Sequence, residues 1–352
     1  MYSGNGLASR DSWSLRARRL VVAGMLTALL VGGIALVPRV AVTAPPGQDG
    51  PWTTFAPMLQ PRSESAVTEL NGKIYVIGGY PQGRIPSNVV QVYDPATDSW
   101  SYGPPFPVPL HHTMAAVVDG TLYVIGGEFE GAGTGRPSQY LDSVYMLDEA
   151  ADEWVPRAPM PTARSAGGAA VIAGKIYVAG GRPPRGHDFA VYDPAADAWT
   201  VLPDLPTARN HLAVGAIDGK VYVAGGRFGP DFNSELTAVL EIYDPATNTW
   251  MQGPSMLEPR SGMSSIVANG CLWAMGGERD RTTDSGVFPH TEAFDPRTST
   301  WQRFTPMPTP THGQIGAAFL NGRIHIPGGA VTMGGDTGST LHQAYTPELS
   351  CR

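Results

Sequence analysis

Three arginines and two glutamates stand where an otherwise repetitive sequence breaks its own pattern, and together they have the chemistry of a site for acidic groups. Arg182, Arg185 and Arg227 lie just past "GG" pairs, beside Arg164 and Arg209, in a chain with 31 acidic and 24 basic residues and a net charge of −7. A planar guanidinium grips a carboxylate through two parallel hydrogen bonds, so a basic sector on an acidic protein suits an anionic ligand. Glu128 and Glu278 follow two other Gly pairs. They could shuttle a proton, as could His211, or they could be rim residues and salt partners of those same arginines. The eight histidines, "HH" at 111–112 included, show no metal-ligand spacing. No metal and no cofactor is therefore expected. Nor do the Gly pairs open helices, as a phosphate-binding loop would require.

The spacing of these residues comes from internal repeats. "YDPATDSW" (93–100) returns as "LDEAADEW" (147–154), "YDPAADAW" (192–199), "YDPATNTW" (243–250) and "FDPRTSTW" (294–301). A second motif alternates with it: "KIYVIGG" ends at Gly79, "TLYVIGG" at Gly127, "KIYVAGG" at Gly181, "KVYVAGG" at Gly226, "CLWAMGG" at Gly277 and "RIHIPGG" at Gly329. From Trp to the next Gly pair is 26 residues in five units and 27 after Trp301, whereas from Gly pair to Trp the distance runs from 19 to 28. One half of each unit is fixed in length and the other carries a variable loop.

Each piece has a physical reading. "KIYVIGG" is a β-branched and aromatic run that fits a buried strand, ended by glycines that permit close backbone approach. "VYDPAT" closes a strand and turns, because Asp bonds its own backbone and Pro presets φ. Small-residue runs such as "SAGGAAVIAG" (165–174) suit an inner strand packed tightly against its neighbours. A unit of about 50 residues then holds four antiparallel strands, with Trp opening the last.

Such units build a β-propeller, and from residue 52 onward the chain resembles the kelch-repeat family. The resemblance implies an all-β, six-bladed wheel spanning 51–352 as one domain, with Trp100, Trp154, Trp199, Trp250 and Trp301 as structural residues of successive blades. The sixth unit ends in "AYTPELSCR", where Thr346 replaces the Asp and no Trp follows. "PWTTFAPM" (51–58) offers an unpaired Trp52, so the N-terminal strand is expected to complete blade six and close the ring. Closure removes exposed strand edges.

The end of the second strand, the variable loop after it and the start of the first strand emerge on one face, the default place for function. In animal kelch adaptor proteins the peptide partner docks there. That carries over to Tyr80, Glu128, Arg182, Arg227, Glu278 and Ala330 after the Gly pairs, and to Ser63, His111, Ser165, Asn210, Ser261 and Gly313 at the strand starts. Arg62, Arg164, Arg209 and Arg260, with Leu110 and His312 in the other two units, precede these, and a repeated Arg most simply bonds carbonyls of adjacent loops. The expected function is non-catalytic recognition of a protein, peptide or carbohydrate, acidic ligands included. The alternative is a sugar-active enzyme similar to N-acetylneuraminate epimerase, an exported six-bladed kelch propeller, with Glu128, Glu278 or His211 moving the proton. Kelch-type copper oxidases need a Tyr–Cys crosslink for which neither Cys271 nor Cys351 is suitably placed.

Residues 1–50 are of another kind. Residues 20–37 are 18 uncharged, largely apolar residues after Arg16, Arg18 and Arg19, followed by a Pro/Ala-rich linker over 38–50. The positive n-region at 1–19 predicts export of the propeller, tethered by an uncleaved anchor, with a signal cleaved near Ala44 as the alternative. "RRLVV" resembles a twin-arginine signal, though Ala17 departs from it. The expected location is extracytoplasmic. Cys271 and Cys351 are expected as two isolated structural thiols, with a disulfide the alternative in an oxidising compartment. With pI near 5.6 no basic field for nucleic acid exists.

Overall fold

In the computed structural model, residues 50–129 and 139–352 are described, and they form six four-stranded antiparallel blades around one axis. The expected n-region, the apolar run at 20–37, the linker up to residue 49 and the Ala44 cleavage site lie outside the described residues. Among the described residues no helix is long and apolar enough to cross a membrane. Blade one runs outward from the axis through Ser65–Leu70, Lys73–Ile77, Val90–Asp94 and Ser99–Tyr102. Blades two to five repeat that order. Blade six takes Ala318–Leu320, Arg323–Pro327 and His342–Tyr345 from the C-terminus, and Trp52–Thr54 as its outermost strand. Trp52 lies opposite Tyr345 and Thr54 opposite Gln343, so the ring closes as the sequence predicts.

The hairpin motif works as its chemistry suggests. Asp94, Asp148, Asp193, Asp244 and Asp295 each accept, through Oδ1, the backbone N–H two residues on, at 2.9–3.0 Å. The residue before the strands of Trp100, Trp154, Trp199, Trp250 and Trp301 turns left-handed, as at Asp98 (φ 47°) and Asn248 (φ 56°), a conformation Asp and Asn tolerate well.

Trp then links blade to blade. Each indole N–H donates to a carbonyl of the preceding blade: Trp100 to Ala56, Trp154 to Pro104, Trp199 to Ala158, Trp250 to Pro203, Trp301 to Pro254, and Trp52 to Thr305, at 2.9–3.1 Å. The borrowed N-terminal strand thus gives one bond of this cycle and the segment after it receives another.

Gly pairs make a second cycle nearer the axis. The second Gly of every pair donates its N–H to a carbonyl at the entrance of the next blade: Gly79 to Leu110, Gly127 to Arg164, Gly181 to Arg209, Gly226 to Arg260, Gly277 to Thr311 and Gly329 to Arg62. The first Gly leaves room for that oxygen, since a Cβ on Gly78 would lie 2.6 Å from the Leu110 carbonyl. The four repeated arginines at those entrances are fully buried. Arg164 donates to the carbonyls of Val178 and Asp188, and Arg260 to those of Gly276 and His290, which is the structural role expected of them.

One expectation is corrected here. Cys271 and Cys351 are not isolated thiols: they form a disulfide, with Cα atoms 5.3 Å apart and a sequence separation of 80. After Tyr345 the chain crosses from blade six to the second strand of blade five, where the Cys351 N–H bonds the Asn269 carbonyl at 2.8 Å. Sequence spacing carried no sign of that crossing. Closing a loop of this length removes disorder from the unfolded chain, an effect of about 2–4 kcal/mol.

Two outcomes follow from the closure of the ring. Trp52 is 6% exposed and packs with Tyr345, so Trp52→Ala is expected to lower stability by roughly 3–5 kcal/mol, and chemical denaturation giving the wild-type midpoint would contradict it. Between blades six and one, His325 and His342 are buried with their ring nitrogens 2.9 Å apart. Desolvation pulls His325 down to about 4 and holds His342 well below the usual imidazole range. As pH falls below about 6.5 the unfolded chain takes up these protons first, so each His removes about 1.4 kcal/mol of stability per pH unit until its folded pKa is reached. Urea unfolding at a series of pH values should show this slope, reduced in His325→Gln; a flat profile between neutrality and the folded pKa of His325 would sink it.

Candidate functional site

Past the carbonyls that receive the Gly bonds, each inner strand begins with a residue paired to the one after the Gly pair: Ser63 to Tyr80, His111 to Glu128, Asn210 to Arg227, Ser261 to Glu278 and His312 to Ala330. Ser165 holds Arg182 the same way, its carbonyl accepting the Arg182 N–H at 2.8 Å. In blade six this places His312, rather than Gly313, level with Ser63, and Thr311 level with the buried arginines. The single extra residue between Trp301 and Gly328 produces that shift.

The next residue of every blade faces the axis. Glu64, His112, Ala166, His211, Gly262 and Gly313 all have left-handed backbone, with φ from 52° to 79°. Each N–H from His112 round to Gly313 donates to the carbonyl of the preceding member at 2.8–2.9 Å. Backbone geometry is thus six-fold while the side chains are not: three carry polar groups and three are small. A Cβ on Gly313 would sit 2.7 Å from Glu64 Oε1, so the Glu64 carboxylate occupies space that this glycine leaves open.

Around Glu64 the residues after the Gly pairs complete a buried cluster. Arg182 Nη1 meets Glu128 Oε2 at 2.9 Å, and Arg182 Nη2 donates to His112 Nε2 at 3.1 Å. Arg227 repeats the arrangement, with Nη1 on Glu278 Oε1 and Nη2 on His211 Nε2 at 2.9 Å. Glu64 Oε2 lies 3.0 Å from His112 Nε2 and 4.0 Å from His211 Nε2, and Oε1 lies 3.9 Å from His312 Nδ1. Burial, followed by neighbouring positive charge for His112 and His211, holds His111, His112 and His211 well below the usual imidazole range. Both guanidiniums bond glutamates, Arg182 to Glu128 and Arg227 to Glu278, while Glu64 Oε2 has no hydrogen-bond partner among the described residues.

These groups floor a cavity of about 190 Å³ on the variable-loop face, walled by Tyr80, Arg84, Arg182, Phe232, Gly334 and Gly335. At its rim Arg84 stacks over Phe232 and meets Asp336 at 3.0 Å, with side chains 43% and 59% exposed. Beneath the cluster, inner strands bearing Ala169, Gly215, Ala216 and Val267 enclose an axial cavity of about 270 Å³.

Of the residues singled out from sequence, Tyr80, Glu128, Arg182, Arg227, Glu278 and His211 gather at this axis. His111 bonds the Tyr80 hydroxyl, Ser165 donates to Glu128 Oε2 at 3.0 Å, Asn210 accepts from His211 Nδ1 at 2.5 Å, and Ser63 donates to the Gly335 carbonyl at 2.8 Å. These four and Ser261 are fully buried supports. Arg185 stands apart, with its side chain 43% exposed and 3.9 Å from Asp188. Arg182 and Arg227 do not form a basic surface sector, since each is neutralised by a glutamate. Glu64, His112, Arg84 and Phe232 were not anticipated. A Glu or His in the one position per blade where other units place Gly or Ala was the available signal.

Comparison with known proteins agrees with the architecture. The model of the KLHDC2/KLHL20/DRC7 Kelch-repeats domain matches residues 51–205 and 159–329. "Kelch-like protein terF" of Aspergillus terreus is 32% identical over 94% of this chain and 74% of its own length. "Kelch-like protein 40" of Xenopus tropicalis is 29% identical over 70% of this chain, and "Beta-scruin" of Limulus polyphemus 26% over 64%; the chain spans 32% and 20% of those two proteins. The solved structure titled "Structure of YjhT" superposes with a TM-score of 0.67 over 83% of this chain and 95% of that one, at 17% identity, a likeness of fold.

The buried pairs give the expected outcome of a substitution. Arg227 and Glu278 side chains are 3% and 1% exposed, so Arg227→Ala leaves a buried carboxylate without its cation and should cost roughly 3–5 kcal/mol. Arg227→Met/Glu278→Leu should recover part of that loss. Equal melting of wild type and Arg227→Ala would refute a structural role for the pair.

Proposed function

The chain belongs to the kelch-repeat β-propeller family, and from that premise we propose that it is a recognition module outside the cytoplasm, seating an acidic group of a protein, peptide or glycan in its axial pocket. Kelch propellers are commonly protein-interaction modules, and the variable loops of blades one, four and six line this pocket through Arg84, Phe232 and Gly334. The observation that carries the reading is Arg84. Its partner Asp336 is more exposed than Arg84 itself, and a solvent-exposed ion pair contributes little. A ligand carboxylate can take the place of Asp336 on the Arg84 guanidinium, with the Tyr80 and Phe232 rings and the Gly334–Gly335 backbone as walls.

Location outside the cytoplasm is supported by the disulfide, since such bonds persist in oxidising compartments, and by the apolar run at 20–37 behind Arg16, Arg18 and Arg19. A second reading, a sugar-active enzyme, is favoured by one contact: Glu64 Oε2 lies 3.0 Å from His112 Nε2, a carboxylate–imidazole pair at the pocket floor. Glu128 and Glu278 are tied to arginines, so Glu64 takes over the role of base in that reading.

The test is a thermal-shift and direct-binding screen of the full chain against acidic peptides and acidic sugars, with matched neutral analogues. Acidic ligands are expected to bind, and Arg84→Ala to weaken them at least about tenfold, the worth of a charge-assisted hydrogen bond or two. Preference for neutral analogues, or indifference to Arg84→Ala, would discard the proposal. Anomer exchange of an acidic sugar, followed by NMR and abolished in Glu64→Gln, would transfer the conclusion to the enzyme reading.

A further inference from the structure

We propose that Glu64, His112 and His211 form a binding site for a first-row divalent metal ion of the Zn²⁺ or Fe²⁺ kind at the axis of the propeller. One donor atom from each lies within 4.8 Å of the donors of the other two, and all three residues are buried. Two imidazole nitrogens and one carboxylate oxygen, contributed by three different blades, make the two-histidine, one-carboxylate set that suits such ions and leaves positions open for a ligand.

The hydrogen bonds behind the donors set them for this role. Asn210 turns its amide NH₂ toward the Arg227 and Gly229 carbonyls, so its Oδ1 accepts from His211 Nδ1 and the His211 Nε2 lone pair faces the axis. His312 Nε2 donates to the Thr332 carbonyl at 2.8 Å, which leaves its Nδ1 lone pair facing the same space. Outer partners of this kind fix the tautomer of metal-binding histidines. His112 Nδ1 lies against His111 Nδ1, so a proton held between those rings leaves its Nε2 to the axis as well.

The cluster has more acceptors than donors. Glu64 Oε2 and His312 Nδ1 are buried polar atoms with no hydrogen-bond partner among the described protein atoms. If Arg182 donates to His112 Nε2, the Glu64 oxygen 3.0 Å away faces a lone pair and gains nothing from the contact. A cation relieves that opposition, and metal ligands must present deprotonated atoms of this kind. Arg182 and Arg227 would give up His112 and His211 to the ion and keep Glu128 and Glu278 through Nη1.

Space agrees. Ala166, Gly262 and Gly313 hold the remaining ring positions with side chains too small to fill the centre. His111, His112 and Glu128 form a second group of close donors, but it shares His112 with the first.

The experiment uses the tag-free full chain, treated with EDTA and titrated near neutral pH with Zn²⁺ by calorimetry and with Co²⁺ by visible absorption. Expected are binding of about one ion per chain and a Co²⁺ spectrum with nitrogen and oxygen ligation, with affinity at least about tenfold weaker in Glu64→Gln and His211→Ala. Asn210→Ala keeps all three ligands while releasing the His211 ring, so it should bind about 10–100-fold more weakly and gives a second reading if His211→Ala does not fold. No binding by the wild type, or binding unchanged in Glu64→Gln and Asn210→Ala, overturns the proposal. The acidic-ligand screen with Arg84→Ala is a separate measurement, and either result can fail without the other.

Discussion

Six backbone hydrogen bonds from the second glycine of each pair to the carbonyl at the next blade's entrance hold the molecule in its ring. Such a bond forms only if the first glycine lets that oxygen approach within 2.0–2.9 Å of where a Cβ would stand. The chain accordingly repeats Gly-Gly six times and spaces it almost invariantly from the tryptophan of the preceding blade. Variation in length is admitted only beyond the pair, where the chain leaves for the face that carries the pocket.

A cycle of identical bonds does not by itself close. The C-terminal unit lacks its outer strand, and the N-terminal segment supplies it by giving the Trp52 indole to blade five and the Ala56 carbonyl to Trp100 of blade one. The two ends of the described propeller are thereby interlocked, and the Cys271–Cys351 disulfide fastens the tail across the neighbouring blade. In a wheel where each blade touches only its neighbours, the seam is where fraying would start. Three devices of different chemistry meet there: a strand pairing, an indole hydrogen bond and a covalent crosslink.

Function needs the symmetry to be broken, and it is broken at one level of the wheel. All six axial positions adopt the same left-handed backbone, yet Glu64, His112 and His211 fill three of them while Ala166, Gly262 and Gly313 leave three open. A left-handed conformation is uncommon for side-chain-bearing residues other than Asn, Asp and His. Glu64 at φ 52° is therefore held there by the ring rather than by local preference. Burial holds His112 and His211 below the usual imidazole range, Arg182 and Arg227 bond Glu128 and Glu278, and Glu64 Oε2 is left beside histidines with no hydrogen-bond partner among the described residues. That unpartnered oxygen, rather than the arginines, distinguishes the site from the structural charges around it.

How much of this was legible differs between fold and site. Periodicity alone determined the blade number, the strand order, the missing outer strand and Trp52 as its replacement, because each rests on a local motif and a count of residues. The face of the variable loops and five of the residues around the axis, from Tyr80 to Glu278, followed from the same count. The tertiary structure decided the rest. Whether Arg182 and Arg227 are free or neutralised depends on glutamates 51 and 54 residues away in sequence, brought near by adjacent blades. The convergence of Glu64, His112 and His211 requires three blades to meet at one point, and the tail's crossing to Cys271 depends on where a chain without repeat pattern comes to rest. Local spacing encodes a strand and its turn; the meeting of side chains at an axis exists only once the ring has closed.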